Sequence, residues 1–327
     1  MIGYYVHHVG RGHLHRATAL AASLGRPVTG LSSLPRPDGW TGDWIELERD
    51  DTSGPGPDPT AHGRLHWVPS GDPGLLARMA DISAWCAKAR PELLISDVSV
   101  EVALLARLHG VPVLSVVLPG DRADPAHQLG FAASAALVSF WPDTADGMVA
   151  GIDEATSRRW HRVGAMSRYP VATASGGADR CVVVLNGGGD EGFDPAVIEA
   201  ARAETPGWRW QVLGPGSWVA DPFPVLLEAD VVITHAGQNA LAEVASARRP
   251  AIVVPGDRPH DEQRTTARVL AGGPWPVAVE PSLPVTGWPE RLASVAALDG
   301  SRWETWCDGG AAGRFAAVVE DLVRGPR

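Results

Sequence analysis

Short runs of β-branched and aliphatic residues alternate along this chain with stretches rich in Ala and Leu, and the alternation starts afresh midway. Apolar runs of that kind suit strands buried on both faces, the strands of a parallel sheet covered by helices. In the first half, Ile2–Val6, Pro91–Asp97, Val111–Leu118 and Ala135–Phe140 read as strands. Helices are expected over Leu14–Leu24 and Val100–Leu108, the second stopped by Gly110. In the second half, strands at Arg180–Leu185, Trp208–Leu213, Asp230–Thr234 and Pro250–Pro255 alternate with helices at Asp194–Glu204 and Gln238–Ala247. A last helix covers Gly313–Arg324. Between the halves, Met166–Asp179 is rich in Ser, Gly and Ala and has no period, which places a linker at 169–179. The expected fold is therefore α/β, with an N-terminal domain over 1–168 and a C-terminal domain over 180–327.

Composition narrows the function. A net charge of −10 argues against a nucleic-acid binder, whose footprint is basic. Three scattered cysteines, Cys86, Cys181 and Cys307, cannot build a disulfide framework or a four-ligand zinc site. The opening MIGYYVHHVGRGH lacks the long apolar stretch of a signal peptide, and no apolar run approaches the roughly 20 residues of a membrane helix. A cytoplasmic protein is expected, with peripheral contact to a membrane left open. Asp51–Gly74 holds five Gly and five Pro, which reads as either a mobile rim near a ligand site or plain disorder.

Four segments could carry chemistry. Gly10-Arg-Gly-His-Leu-His-Arg16 follows a strand and opens a helix, where Gly10 and Gly12 allow close backbone approach and His13 sits at a sheet edge. Four histidines at positions 7 to 15 raise a metal site, but neighbouring carboxylates are few and His13 and His15 do not share a helical face. No metal is expected. Asn186-Gly-Gly-Gly-Asp-Glu-Gly192 contains a G-x-G-x-x-G pattern, yet no acidic residue follows the next strand to hold a ribose, so a dinucleotide cofactor loses support. A glycine loop at Gly188 and Gly189 that passes close to a phosphate or sugar survives.

The third segment, Asp230–Glu243, is a strand, a Gly turn and a helix. Helix-start amides near Gly237 can hold a diphosphate, and Glu243 lies about 9 Å further along the axis, the reach from a diphosphate to its ribose. His235, Asn239 and Glu243 recur at i, i+4 and i+8; a merely polar helix face is the plain alternative. In the fourth segment, Pro255–Gln263, the side chains of Asp261, Glu262 and Gln263 suit sugar hydroxyls.

Together these residues resemble the GT-B nucleotide-sugar glycosyltransferases, in particular the branch with the peptidoglycan N-acetylglucosaminyltransferase, whose C-terminal domain belongs to family 28. The match is firmest over Asp230–Leu270: Thr234-His-Ala-Gly-Gln-Asn239, Glu243, Pro255 and Glu262-Gln263. Gly10–Arg16 resembles the acceptor-side Gly-x-Gly-His, and Leu94-Ile-Ser-Asp97 a strand-end Asp of related enzymes. The resemblance implies two facing Rossmann-like domains with a cleft between them. It implies inverting transfer without a required metal or cofactor, from a UDP- or dTDP-linked sugar to a small-molecule or lipid-linked hydroxyl. His235, Ala236, Gly237, Gln238 and Asn239 would hold the diphosphate, Glu243 the ribose, and Glu262 and Gln263 the sugar. Gly10, Gly12 and Arg16 would lie on the acceptor side, with His13 as the base and Asp97 orienting its imidazole.

Glu191–Glu199 looks like the paired-Glu motif of retaining enzymes but stands at the wrong helix, and is taken as coincidence. Trp275 and Pro276 replace an aliphatic strand of the relatives, and the 13 tryptophans suggest stacking surfaces as well as core. The rival functions are a sugar-nucleotide epimerase of the same fold and a non-catalytic sugar-nucleotide or glycan-binding protein. Acceptor identity and oligomeric state are not encoded in any motif.

Overall fold

A computed structural model describes residues 1–173, 180–186, 192–214, 216–217 and 219–325. Two compact units emerge. The first takes Met1–Ser139, Val149–Val163 and the C-terminal helix; the second takes Phe140–Met148 and Gly164–Ala311.

In chain order the first unit contains β1 (Ile2–Tyr5), α1 (Arg11–Ser23), β2 (Val28–Ser32), β3 (Trp44–Glu46), α2 (Pro73–Ala89), β4 (Leu93–Ser96), α3 (Val100–Leu108) and β5 (Val113–Val116). There follow β6 (Gly120–Asp121), α4 (Pro125–Ala133), β7 (Ala136–Ser139), β8 (Val149–Ala150), α5 (Glu154–Ser157) and β9 (Trp160–Arg162). Seven parallel strands form one sheet in the order β3-β2-β1-β4-β5-β7-β9, while β6 and β8 pair separately. Because β1 lies between β2 and β4, the chain reverses its direction of growth there. Ligands of open α/β sheets bind at the carboxyl ends of the strands flanking such a point.

The second unit contains β10 (Cys181–Leu185), α6 (Pro195–Glu204), β11 (Arg209–Leu213), α7 (Phe223–Glu228), β12 (Val231–Thr234), α8 (Gln238–Ser246), β13 (Ala251–Val253), α9 (Glu262–Gly272), β14 (Val277–Val279) and α10 (Trp288–Ala296). Its parallel sheet runs β11-β10-β12-β13-β14, so the reversal falls between β10 and β12. The central strands are buried throughout, as their unbroken apolar sequences require. Val184, Ile233 and Ile252 meet Ile198 of α6 and Trp288 and Leu292 of α10 in one core cluster. Each such side chain contributes about 1.5–3 kcal/mol by leaving water.

The expected strands all form, within a few residues at each end. Residues 25–90 hold β2, β3 and α2, which the sequence pattern does not announce. The reason is local: β2 carries Gly30, whose added Cβ would stand 2.1 Å from the Trp44 ring, so a small residue there weakens the strand signal while permitting the packing. The final helix, α11 (Ala311–Arg324), departs from the expected C-terminal domain and joins the first unit. Arg314 donates from Nε to the Val163 carbonyl at 2.8 Å, and Arg26 and Glu320 approach to 3.8 Å. Within Asp51–Gly74, His66 and Trp67 are tied to their surroundings. Trp67 Nε1 donates to the Asp50 carbonyl, the His66 amide donates to Glu101, and the His66 ring meets Asp124 at 3.0 Å.

Trp40, Trp85, Trp141, Trp210, Trp275, Trp288, Trp303 and Trp306 are buried, so most of the tryptophans build core rather than sugar-stacking surface. Trp275 is among them, its indole N–H donating to Thr305 Oγ1. No described helix is long and apolar enough to cross a membrane.

Candidate functional site

In the first unit, the turns after β1 and β4 bring together residues that are far apart in sequence. Gly10, at φ 88°, starts α1 without a capping side chain, whereas Asp72, Ser99 and Asp124 cap α2, α3 and α4. Asp97 stands at the end of β4, its amide donating to the Tyr5 carbonyl of β1. The next residue, Val98, has φ 69°, a conformation that β-branched side chains resist, at a cost of about 1–3 kcal/mol. The turn is fastened by Ser96 Oγ donating to the Ser99 carbonyl. Strain is thus held where the chain delivers Asp97 beneath α1.

The Asp97 side chain is fully buried. Its Oδ1 lies 3.1 Å from His13 Nδ1 and 2.7 Å from Arg16 Nη2. Burial alone would raise the carboxyl pKa, but the charge of Arg16 and contact with His13 outweigh it and hold the group at about 2. An ionised carboxylate only accepts, so His13 Nδ1 donates to it, and in the neutral ring Nε2 is then the lone-pair nitrogen. Arg16 Nη2 also lies 3.3 Å from His13 Nδ1. With a proton already on that nitrogen, this is a contact between two donors. The Arg16 residue is buried, so its guanidinium, expected on the acceptor side, is spent on Asp97. Beyond His13, the His7 ring lies 5.8 Å away, centre to centre, and burial, aided by His13 and His8, pulls its pKa down to about 4.

In the second unit, β12 ends at Thr234 and delivers His235 to the sheet edge at the reversal point. Its ring stacks on Phe193 at 4.1 Å. His235 Nδ1 donates to the Val254 carbonyl at 2.9 Å, since a carbonyl can only accept. The other nitrogen, Nε2, is buried and has no partner. Gly237 starts α8 without a capping side chain, leaving helix-start amides for a ligand. Gln263 bridges the turns: its Oε1 accepts from the Gly256 amide at 2.8 Å, and a Cβ built on Gly237 would lie 3.8 Å from its Nε2. His235, Gly237, Gly256 and Gln263 therefore converge.

Ala236 is fully buried and can offer only backbone, whereas Gln238 and Asn239 are partly exposed. Glu262 opens α9 behind His260 and Asp261, two consecutive non-glycine residues at φ 61° and 55°. Glu243, one turn further along α8 than Asn239, is paired with Arg168, whose Nε lies 2.9 Å from Oε1. Burial raises the Glu243 carboxyl pKa, with Arg168 opposing it. Gly188 and Gly189 lie outside the described residues. Asn186 of that same turn accepts the Phe193 amide at 3.0 Å, which seats the ring that His235 stacks on. Glu199, of the apparent retaining motif, is exposed and pairs with Arg202.

Arg168, Asn186 and Gly256 were not singled out by sequence. A lone Arg in a stretch without period has no pattern to mark it, but Asn186 and Gly256 each stand at the carboxyl end of a strand, a position that could have flagged them. Two groups of metal-capable side chains occur among the described residues of the first unit. Asp124 already accepts from His66 and His127, and Arg122 Nη1 lies 3.3 Å from the second His127 nitrogen. Asp50 and Asp51 are paired with Arg78 and Arg49. Arg122, Arg78 and Arg49 thus already lie against these side chains.

Residues 222–272 match the glycosyltransferase family 28 C-terminal domain, covering α7 to α9 and the His235–Gln263 cluster. No curated protein matches the chain in sequence. Solved structures resemble it throughout. A UDP-glucosyltransferase from Polygonum tinctorium capable of glucosylating indoxyl has a TM-score of 0.65 at 13% identity, with 99% of each chain covered. The glycotransferase of kitacinnamycin has a TM-score of 0.60 at 17% identity, covering 99% of this chain and 95% of the other. Acinetobacter baumannii MurG has a TM-score of 0.58 at 15% identity, with 98% of each chain covered. The fold of the chain is that of the GT-B glycosyltransferases.

Proposed function

We propose that the protein is an inverting glycosyltransferase that moves a sugar from a nucleoside diphosphate, UDP or dTDP, to a hydroxyl acceptor. The observation that carries this reading is the convergence of His235, Gly237, Gly256 and Gln263 at the reversal point of the second sheet, within the segment matching the family 28 domain. The donor diphosphate would lie on the α8 amides and His235 Nε2, the ribose on Glu243, and the sugar on Glu262 and Gln263. The developing negative charge on the leaving diphosphate is then met by dipoles already oriented toward it.

The first unit supplies the base. His13 presents Nε2 as its lone-pair nitrogen because Nδ1 is committed to Asp97. The acceptor hydroxyl gives its proton to Nε2, its oxygen bonds the anomeric carbon, and the carbon–oxygen bond to the diphosphate breaks with its electron pair leaving on the nucleotide. Attack opposite the leaving group inverts the anomeric centre. This reading needs neither a metal ion nor a resident cofactor, and it places the protein in the cytoplasm, where nucleotide sugars are made.

Incubation with UDP-sugars and dTDP-sugars, with and without a panel of phenolic, aliphatic and lipid-linked alcohols, tests it. Nucleoside diphosphate is expected only when an acceptor is present, with an inverted product by NMR. Release of UDP without acceptor supports the epimerase instead, and retained configuration overturns the inverting step.

A further inference from the structure

The first unit departs from a plain imidazole–carboxylate pair. Asp97 Oδ1 is shared: His13 Nδ1 approaches it at 3.1 Å and Arg16 Nη2 at 2.7 Å, with the guanidinium nitrogen only 3.3 Å from His13 Nδ1. The carboxylate is fully buried and Arg16 nearly so. We propose that Arg16 is a positioning residue that holds His13 in its neutral, proton-accepting form by sharing Asp97 with it.

The effect is electrostatic. A lone buried carboxylate against Nδ1 would stabilise the imidazolium and leave His13 protonated over a wider pH range, which removes the base. A guanidinium on the same oxygen neutralises that attraction. Its own charge, a few ångströms from the ring, opposes a second positive charge there. An opposite charge within about 4–6 Å shifts a titration by roughly one to three pH units, and a like charge acts in the opposite sense. The orienting hydrogen bond from Nδ1 survives, so tautomer control is kept while the bias toward imidazolium is removed.

Further titratable and charged groups lie near the ring. His7, 5.8 Å away, is itself held neutral by burial; His8 stacks on His7 at 5.1 Å and meets Asp51 at 3.2 Å. Arg78, which pairs with Asp50 and donates to the Tyr5 hydroxyl at 2.7 Å, adds positive charge beyond them. Tyr4, fully buried on β1 under the pair, is kept protonated by burial and by the Asp97 charge. Asp97 is the one described carboxylate in direct contact with the His13 ring, and Arg16 sits on the oxygen they share.

The meaning for catalysis rests on the glycosyl-transfer reading; the test of the charge sharing does not. The His13 ring is followed by proton–carbon NMR across pH 4–9 in the full chain without substrate, its signal assigned by its loss in H13Q. In R16M the midpoint is expected to move up by at least about one pH unit, and in R16K to stay within about half a unit of the parent. R16Q, which keeps a donor for Asp97 without the charge, should move as R16M does and serves where R16M fails to fold. An unmoved midpoint in a folded R16M or R16Q overturns the proposal, as does an R16K that moves as far as R16M. Where turnover is found, the acid limb of kcat/KM should move the same way in R16M with the donor KM unchanged. Absence of turnover in the parent sinks the glycosyl-transfer reading and leaves the NMR result standing.

Discussion

The two sheet edges each present a histidine at a reversal point, and they commit its nitrogens differently. His13 has Nδ1 on a buried carboxylate that also carries Arg16, and its side chain is 19% exposed. His235 has Nδ1 on a backbone carbonyl and its Nε2 buried without a partner against Phe193. The first arrangement is tuned by formal charges already in place, the second by helix-start amides beside a nitrogen that must gain a proton before it can donate. A group that must take a proton from a bound alcohol benefits from charges that set its protonation state. One that must receive an anion is better served by an unspent nitrogen and open helix-start amides, which cost nothing to rearrange.

This contrast can be broken most severely at His13. H13A should cut turnover by about 10²- to 10⁴-fold while leaving nucleotide affinity unchanged by calorimetry. Near-normal turnover would remove the first unit from the chemistry. Next in size is Asp97. Its loss in D97N strands the buried Arg16, and breaking such a pair costs about 3–5 kcal/mol in urea unfolding. The same carboxylate sets an acid limit. Its folded pKa of about 2 lies below the ordinary value, so its stabilisation is complete above about pH 4 and disappears as pH falls toward 2. Urea midpoints between pH 5 and 2 should fall for the parent and be flatter over that window for D97N.

On the other edge, E243Q should weaken nucleoside diphosphate binding about tenfold, or 1.4 kcal/mol, with turnover at saturating donor preserved. An unchanged dissociation constant would move the ribose elsewhere. The smallest effect sharpens the comparison most. Because His235 Nδ1 already holds its proton on Val254, Nε2 can donate to a phosphate only by taking up another proton. Calorimetry in buffers of different ionisation enthalpy should show net proton uptake in the parent and none in H235Q.

The parallel α/β architecture was readable because buried central strands such as Cys181–Leu185 leave an apolar signature of their own. The placement of His13, Asp97, His235 and Gln263 was readable too, since each stands where a strand or turn meets a helix. The rest depends on tertiary packing. Gly30 admits Trp44 beside β2, and nothing local in the sequence states that. Helix α11 carries an apolar face with no label for the unit it covers, and it joined the first rather than the second. Arg16 is three residues from His13 on the same helix, yet its pairing with Asp97 spans 81 positions, beyond the reach of any period. Arg168 meets Glu243 across 75.

Central to the proposed function is a β10–β12 edge that receives a nucleoside diphosphate. Thermal unfolding of the parent with UDP and dTDP, beside H235A, addresses it directly. At a hundred times its dissociation constant the right nucleotide should add about 2.7 kcal/mol to the parent's stability, seen as a higher Tm, and far less to H235A. A Tm that no nucleoside diphosphate raises, or a rise that H235A keeps in full, would contradict it.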